Sequence, residues 1–245
     1  MYRRSFLQKS ILGVGAAALS SGSIVGKKIL SESVSGRTAY MAECGVLGKD
    51  DTFILGFLMV DSPQTHEDQL ISLRNQLSYN SKLTYRSNDT YKVDFAKAAI
   101  DYFVSSNDMV LVLSREVLPE NSGPNNYTKK ELNTFKIDFT NSILTRYGGN
   151  NSLDGVVSKF HSLNGPSNGF ISEFQTGTTI PYESRVTFSS NLLQLSSFLC
   201  SSITSIINKK VTQPIKIELN EYLADKLGIS DFSIDQETNK VKFYS

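Results

Sequence analysis

The run Thr52-Phe53-Ile54-Leu55-Gly56-Phe57-Leu58-Met59-Val60 is the stretch that decides the fold of this chain. Every residue after Thr52 is apolar or glycine. A continuous apolar run of this length, without alternating polar residues, is typical of a strand that is buried on both faces. The run therefore predicts a central strand of a sheet.

The residues before this run predict a strand that pairs with it. Thr38–Glu43 is short and β-prone, and Gly48-Lys49-Asp50-Asp51 has the composition of a hairpin turn. We therefore expect the two strands to pair in antiparallel fashion.

The residues after the run alternate between helical and extended patterns. Helices are predicted from Pro63 onward and over Asp89–Ser105, Lys129–Tyr147, Leu192–Asn208 and Asn220–Leu227, the last closed by Gly228. Strands are predicted at Met109–Leu113, Asp154–Leu163 and Ser184–Phe188, and a hairpin over Phe232–Tyr244 with its turn at Gln236–Asn239. This order predicts a single α/β domain in which a mixed sheet is flanked by helices.

The first and fourth predicted helices carry more detailed expectations. Ser62 should act as the N-cap of the first helix, and Leu70, Leu73 and Leu77 form its apolar stripe. The fourth helix is rich in serine, and its polar residues predict a face turned toward solvent or toward a partner. These residues are Ser196, Ser197, Ser201, Ser202 and Ser205.

Composition and charge exclude several classes of function. The 245 residues include 40% hydrophobic and 20% charged residues and carry a formal net charge of +1, so no strong field attracts nucleic acid or an anionic membrane. Two cysteines are too few for a four-cysteine zinc site or a disulfide scaffold. The only two histidines, His66 and His161, are far apart in sequence, which excludes a histidine-rich metal site but leaves a Ser-His-Asp site open. His66 is expected to be exposed, and His161 is expected to be an ordinary strand histidine.

The N-terminus has the three parts of an export signal. Arg3-Arg4 and Phe6-Leu7 lie in a basic head, and an uncharged run of Ala, Gly and Ser follows over residues 11–26. We interpret residues 1–36 as a twin-arginine signal and linker and residues 37–245 as the domain. The protein is then periplasmic, or membrane-associated through an uncleaved signal. The alternative is a cytoplasmic protein with an amphipathic N-terminal helix.

Three segments of the domain resemble one family, the domain-of-unknown-function family numbered 3800, whose fold is ribonuclease H-like. The matching strings are Tyr40-Met41-Ala42-Glu43-Cys44-Gly45, Lys82-Leu83-Thr84-Tyr85 and Gln194-Leu195-Ser196-Ser197. The resemblance spans residues 38–210 and rests on the order of these segments. It implies a divalent-metal site, with Mg²⁺ or Mn²⁺ held by carboxylates of the first strand and a late helix.

The residues at the implied metal-binding positions do not suit a metal. Ala42 stands at the first-strand aspartate position, Lys82 at the middle glutamate position and Ser197 at the helix aspartate position, with Gln194 one turn earlier. Only Glu43, the flanking acid of the family pattern, remains. The resemblance therefore implies a catalytically inactive relative without a cofactor.

The same resemblance places both cysteines near this altered site. Cys44 follows Ala42 by two residues, and Cys200 follows Ser197 by three. In an oxidising compartment a disulfide between them could crosslink strand and helix where the family uses metal. The alternative is a pair of buried, unpaired thiols.

Three functions remain from the sequence. The first is an exported, non-catalytic binding or interaction module, for which we expect a protein partner. The second is a metal-dependent nuclease or other hydrolase with rearranged ligands, namely Glu43, Asp51 and Asp154. The third is a serine or cysteine hydrolase, which needs a histidine within hydrogen-bond reach of its nucleophile.

The export interpretation predicts that Arg3 and Arg4 are required for translocation. A reporter fused after residue 36 should reach the periplasm, and the Arg3→Lys, Arg4→Lys double variant should lose export because lysine keeps only the charge of the pair. Fractionation of the reporter measures this. Equal export of both forms would contradict the twin-arginine assignment.

Overall fold

The apolar run at 52–60 forms the central strand of a seven-stranded sheet. The computed structural model describes residues 37–44, 52–85, 92–117, 134, 137–138, 140–142, 153–159, 182–185, 190–209, 211–232 and 236–244. The strands are β1 Arg37–Cys44, β2 Thr52–Asp61, β3 Met109–Val117, β4 Leu153–Lys159, β5 Tyr182–Arg185, β6 Gln236–Glu237 and β7 Val241–Tyr244. Their order across the sheet is β5-β4-β1-β2-β3-β7-β6.

The strand directions make the sheet mixed. β2 pairs in antiparallel fashion with β1 on one side and β3 on the other. β4 runs parallel to β1, β5 runs parallel to β4, and β7 runs parallel to β3. The predicted mixed sheet and the predicted antiparallel pairing of the first two strands are therefore confirmed.

Four described helices pack on one face of the sheet. They are α1 Pro63–Gln76, α2 Lys92–Ser105, α3 Asn191–Asn208 and α4 Pro214–Leu227. Their apolar residues share one core with Tyr40, Ala42 and Cys44 of β1 and with Ile54 and Leu58 of β2. Among the described residues, no helix combines the length and apolar character needed to cross a membrane.

The opposite face of the central strands is buried as well. Ala39, Met41, Leu55, Phe57 and Met59 alternate with the residues that face the four helices, and none of them is more than 4% exposed. Burial on both faces is the reason why the run carries no polar residue after Thr52, as the sequence predicted.

Helix α3 lies unusually close to the sheet at Gly56. A Cβ atom added at Gly56 would lie 2.8 Å from Leu113 Cδ2, 3.1 Å from Cys200 Sγ and 3.4 Å from Cys200 Cβ. Gly56 pairs with Ala42 across β1 and β2, so two of the smallest residues stand side by side beneath the helix. This position requires glycine for space and not for its backbone angles.

Several local predictions are wrong. Ser62 occupies the N-cap position in the left-handed region (φ 53°) and makes no side-chain cap, although its carbonyl accepts from Thr65 N. Leu77 is 42% exposed, because α1 has already ended at Gln76. His66 is 5% exposed instead of solvent-facing, because its ring packs inward and its Nδ1 lies 2.6 Å from Tyr102 Oη. Burial lowers the pKa of His66.

The serine face of α3 is also not the solvated face that we expected. Ser196 and Ser202 have no exposed surface. Ser196 donates to a carbonyl of β1, and Ser205 accepts from Tyr85 Oη at 2.5 Å. The prediction failed because Ser196 and Ser205 have hydrogen-bond partners within the fold. Ser202 is buried too, although its Oγ has no hydrogen-bond partner among the described residues.

The element boundaries of the C-terminal part differ from the prediction. α4 begins at Pro214, six residues before Asn220, because proline is well suited to the first helical turn. Gly228 closes it at φ 65°, as predicted. In the last hairpin the predicted turn residues Gln236 and Glu237 form β6, so the turn lies later.

Other predictions fall wholly or partly outside the described residues. They concern the export signal and linker at 1–36, the turn at 48–51, the start of the second predicted helix at 89–91, most of the helix at 129–147, His161 and the end of its strand at 160–163, and residues 186–188. The described part of 129–147, at 134, 137–138 and 140–142, is helical.

The close approach at Gly56 predicts a large cost for adding a single methyl group. Gly56→Ala should lower the free energy of unfolding by about 1–3 kcal/mol, because Leu113 and Cys200 are both fully buried and must shift. Urea denaturation measures the change.

Gly228→Ala is the matched control for this substitution. A Cβ at Gly228 meets nothing within 4 Å, so only the left-handed backbone opposes it, at a cost of about 1 kcal/mol. An equal or smaller loss for Gly56→Ala than for Gly228→Ala would show that the helix is not held against the sheet at this point.

Candidate functional site

The residues singled out by the sequence lie along the contact between β1 and α3. Ser196 Oγ donates to the Tyr40 carbonyl at 2.6 Å, and Cys200 Sγ lies 4.0 Å from the Ala42 carbonyl. One residue further along α3, Ser201 Oγ lies 3.3 Å from Cys44 Sγ. These contacts advance together along strand and helix, so α3 follows β1 in the same direction.

Ala42 is enclosed by this contact, whereas Glu43 is not. Ala42 is 4% exposed and belongs to the core beneath the helices. Glu43 is exposed, and adjacent strand residues point to opposite sheet faces. Glu43 therefore cannot supply the carboxylate that the resemblance implies at position 42.

Gln194 is held by the segment that contains Lys82. Its Oε1 accepts from Arg74 Nη2 at 2.8 Å and from Leu83 N at 2.8 Å. Lys82 is half-buried, and its carbonyl accepts from Tyr79 Oη at 3.0 Å. Lys82 and Gln194 therefore lie close together in the structure. The side-chain oxygen of Gln194 already accepts two hydrogen bonds.

The predicted site residues do not converge on one point. Gln194 and Cys200, which contacts the Ala42 carbonyl, are six residues apart on α3, or about 9 Å along its axis. Ser197 lies between them and is half-buried. Alanine, serine, glutamine and lysine offer a divalent cation no anionic ligand, so these residues do not fit the metal pair implied by the resemblance.

The register of the sheet separates Glu43 from Asp154, two of the three residues in the rearranged ligand set. β4 is parallel to β1 and begins with Leu153 opposite Arg37 and Gly155 opposite Thr38. The backbone of Asp154 is therefore at the start of β1, whereas Glu43 is near its end, about 16 Å away at the usual strand rise. Two residues whose backbones are this far apart cannot ligate the same ion. Asp51 lies outside the described residues, among which no group of three His, Cys, Asp or Glu residues could hold a metal.

The two cysteines are brought together. Both are buried and both are free thiols. A hydrogen bond with Cys200 lowers the pKa of Cys44, while the same hydrogen bond and burial raise the pKa of Cys200 well above its ordinary value. The two thiols are therefore chemically unequal. The prediction that they pair as a disulfide stays a prediction.

Glu67 and Arg74 of α1 position α3, and the sequence analysis missed both. The Glu67 carboxylate accepts from Asn191 N at 2.8 Å, Leu192 N at 3.2 Å and Ser190 Oγ at 2.6 Å. A carboxylate at a helix N-terminus satisfies amides that have no partner in the helix. Ser190 Oγ in turn accepts from Leu193 N at 3.0 Å, so the cap is shared between two chain segments.

Arg74 fixes the same end of α3 from the side. Its Nε donates to Asn191 Oδ1 at 2.5 Å, and its guanidinium carbon lies 4.5 Å from the centre of the Phe95 ring. Burial lowers the pKa of Arg74. The seven-residue spacing of Glu67 and Arg74, with Leu70 between them, places all three on one helix face, which is the signal that could have identified them.

Comparisons with known proteins find similar solved structures but no family. No family model matches the chain, and no curated protein is similar to it. A chain in the structure of the PCNA:RNase HII complex from Archaeoglobus fulgidus is 10% identical with a TM-score of 0.41, over 82% of this chain and 97% of that one. Ribonuclease H2 from Pyrococcus horikoshii OT3 is 15% identical with a TM-score of 0.37, over 80% and 79%.

The fold class rests on the strand order and helix placement described above. They confirm the predicted α/β class, a mixed sheet flanked by helices. The family numbered 3800 stays a resemblance.

The shared cap predicts that Glu67 is needed for stability. Glu67→Gln keeps the shape but removes the negative charge and turns one acceptor into a donor that faces other donors. The free energy of unfolding should fall by about 1–3 kcal/mol. Chemical denaturation measures the change, with Glu221→Gln on the exposed side of α4 as control. Equal effects of the two substitutions would contradict the cap.

Proposed function

We propose that this protein is an exported, catalytically inactive binding module built on a ribonuclease H-like fold. The observation that carries the proposal is the state of position 42. The residue there is an alanine, 4% exposed, whose carbonyl contacts Cys200 of α3. The place of the first metal ligand is thus part of the packed contact between strand and helix.

The other altered positions support the same conclusion. A two-metal phosphoryl transfer uses carboxylates that hold two ions about 4 Å apart. Gln194 is neutral and accepts two hydrogen bonds from the chain itself, Ser197 is neutral, and Lys82 adds positive charge. Positive charge and a filled acceptor both oppose a cation in this neighbourhood.

The kind of partner follows from charge. The net charge of +1 provides no general attraction for a polyanion. A protein partner suits this composition better than nucleic acid does. The export signal would limit that partner to molecules found outside the cytoplasm.

The proposal predicts that divalent metal leaves thermal stability unchanged. A site filled at a hundredfold excess of ligand over its dissociation constant stabilises the native state by about 2.7 kcal/mol, which is a rise of several degrees in a domain of this size. Addition of Mg²⁺ or Mn²⁺ to the metal-free protein should give no such rise, and an RNA–DNA hybrid should be neither bound nor cleaved. Calorimetry, gel shift and product analysis measure the three results.

The Glu43→Gln variant separates the outcomes. A metal-dependent rise in Tm together with hybrid cleavage in the wild type, both lost in Glu43→Gln, would overturn the proposal and establish a nuclease with other ligands. A rise that survives in Glu43→Gln would place a metal elsewhere and would still contradict a metal-independent module.

A further inference from the structure

The thiols of Cys44 and Cys200 both lie in the contact between β1 and α3. Each thiol contacts a residue that is close in sequence to the other cysteine. Cys44 Sγ lies 3.3 Å from Ser201 Oγ, and Ser201 follows Cys200. Cys200 Sγ lies 4.0 Å from the carbonyl of Ala42, which precedes Cys44 by two residues on the same sheet face. Strand and helix therefore place the two thiols within hydrogen-bond reach of each other.

The two thiols differ in exposure and in pKa, and both differences make Cys44 the more reactive thiol. Cys44 is the last residue of β1 and keeps 7% exposure, whereas Cys200 has none. The hydrogen bond with Cys200 lowers the pKa of Cys44, and the hydrogen bond with Cys44 together with burial raises that of Cys200. The thiolate is the reactive form of cysteine, so Cys44 is the better nucleophile of the pair.

We propose that Cys44 and Cys200 form a reversible disulfide that fastens α3 to β1, with Cys44 as the attacking thiol and Cys200 as the resolving thiol. The oxidant is a disulfide, either of low molecular weight or on a protein. Exchange of this kind passes through a mixed disulfide. The bond would link two distant parts of the chain, and long loops are those in which a crosslink restricts the unfolded chain most.

The exchange proceeds in two balanced steps. The Cys44 thiolate attacks one sulfur of the oxidant, the bond between the two oxidant sulfurs breaks, and one thiolate leaves. Cys200 then loses its proton and attacks the Cys44 sulfur, so that the Cys44–Cys200 bond forms and the second thiolate leaves. Two cysteine thiols are oxidised, the oxidant is reduced to two thiols, and the two protons end on those thiols.

This proposal does not depend on the absence of catalysis. Export would supply an oxidising compartment in which the bond persists. A metal-dependent activity would leave the thiol geometry as it is, and a failure to form the disulfide would leave the altered metal positions as they are. The two proposals can therefore fail separately.

The test treats the native full-length protein with oxidised glutathione and follows its thiols by intact mass and by maleimide labelling after unfolding. The wild type should lose both thiols together, without a lasting glutathione adduct, and its Tm should rise by several degrees in a manner that dithiothreitol reverses. Cys200→Ala should stop at one glutathione on Cys44. Cys44→Ala should keep its thiol unmodified under the same conditions.

Three results would overturn the proposal. The first is a wild type that keeps both thiols free across the redox series, and the second is faster glutathione uptake by Cys44→Ala than by Cys200→Ala. The third result comes from the wild type alone, so it can be obtained even if either variant fails to fold. Acid quenching of the wild-type reaction followed by peptide mapping should find the transient adduct on Cys44 and the final crosslink between Cys44 and Cys200, and an adduct on Cys200 would contradict the assigned order.

Discussion

The close approach of α3 to the β1–β2 pair is the constraint on which the rest of the structure depends. It exists because Ala42 and Gly56 stand side by side in the sheet and because Ser196 and Cys200 face them from the helix. Backbones can approach only where side chains are small, and interiors are packed too densely to absorb an added methyl group freely. The position at which the family resemblance implies a metal ligand is thereby used for packing.

One end of α3 is held by charge, while its middle is held by close packing. Glu67 accepts from two main-chain amides of α3, and Arg74 binds Asn191 and Gln194 while lying over the ring of Phe95. The polar side chains of this region are thus directed at the protein itself. A polar network that is satisfied within the fold fixes geometry, but it has few remaining groups for chemistry.

The sequence predicted the strands well because their signal is local. The run at 52–60 has to be buried on both faces whatever surrounds it, and its pairing with β1 follows from a short connection. The serines of α3 and His66 were misjudged because burial of a polar residue depends on a partner far away in the chain. Ser196 is hydrogen-bonded to the carbonyl of Tyr40, and His66 to the hydroxyl of Tyr102. The periodicity of apolar residues along the sequence does not reveal such contacts.

The candidate site shows the same division between local and distant information. The sequence identifies the residues at the positions of the implied metal site. It does not show that Glu43 faces away from Ala42, which follows from strand alternation. Nor does it show that Asp154 lies beside the start of β1 while Glu43 lies near its end, which follows from the register of β4. A new aspartate at position 42 would be enclosed between strand and helix beside Cys200, where an unpaired charge costs several kcal/mol. The packing at this position therefore opposes an added carboxylate, and a metal site here would require changes in α3 as well as in β1.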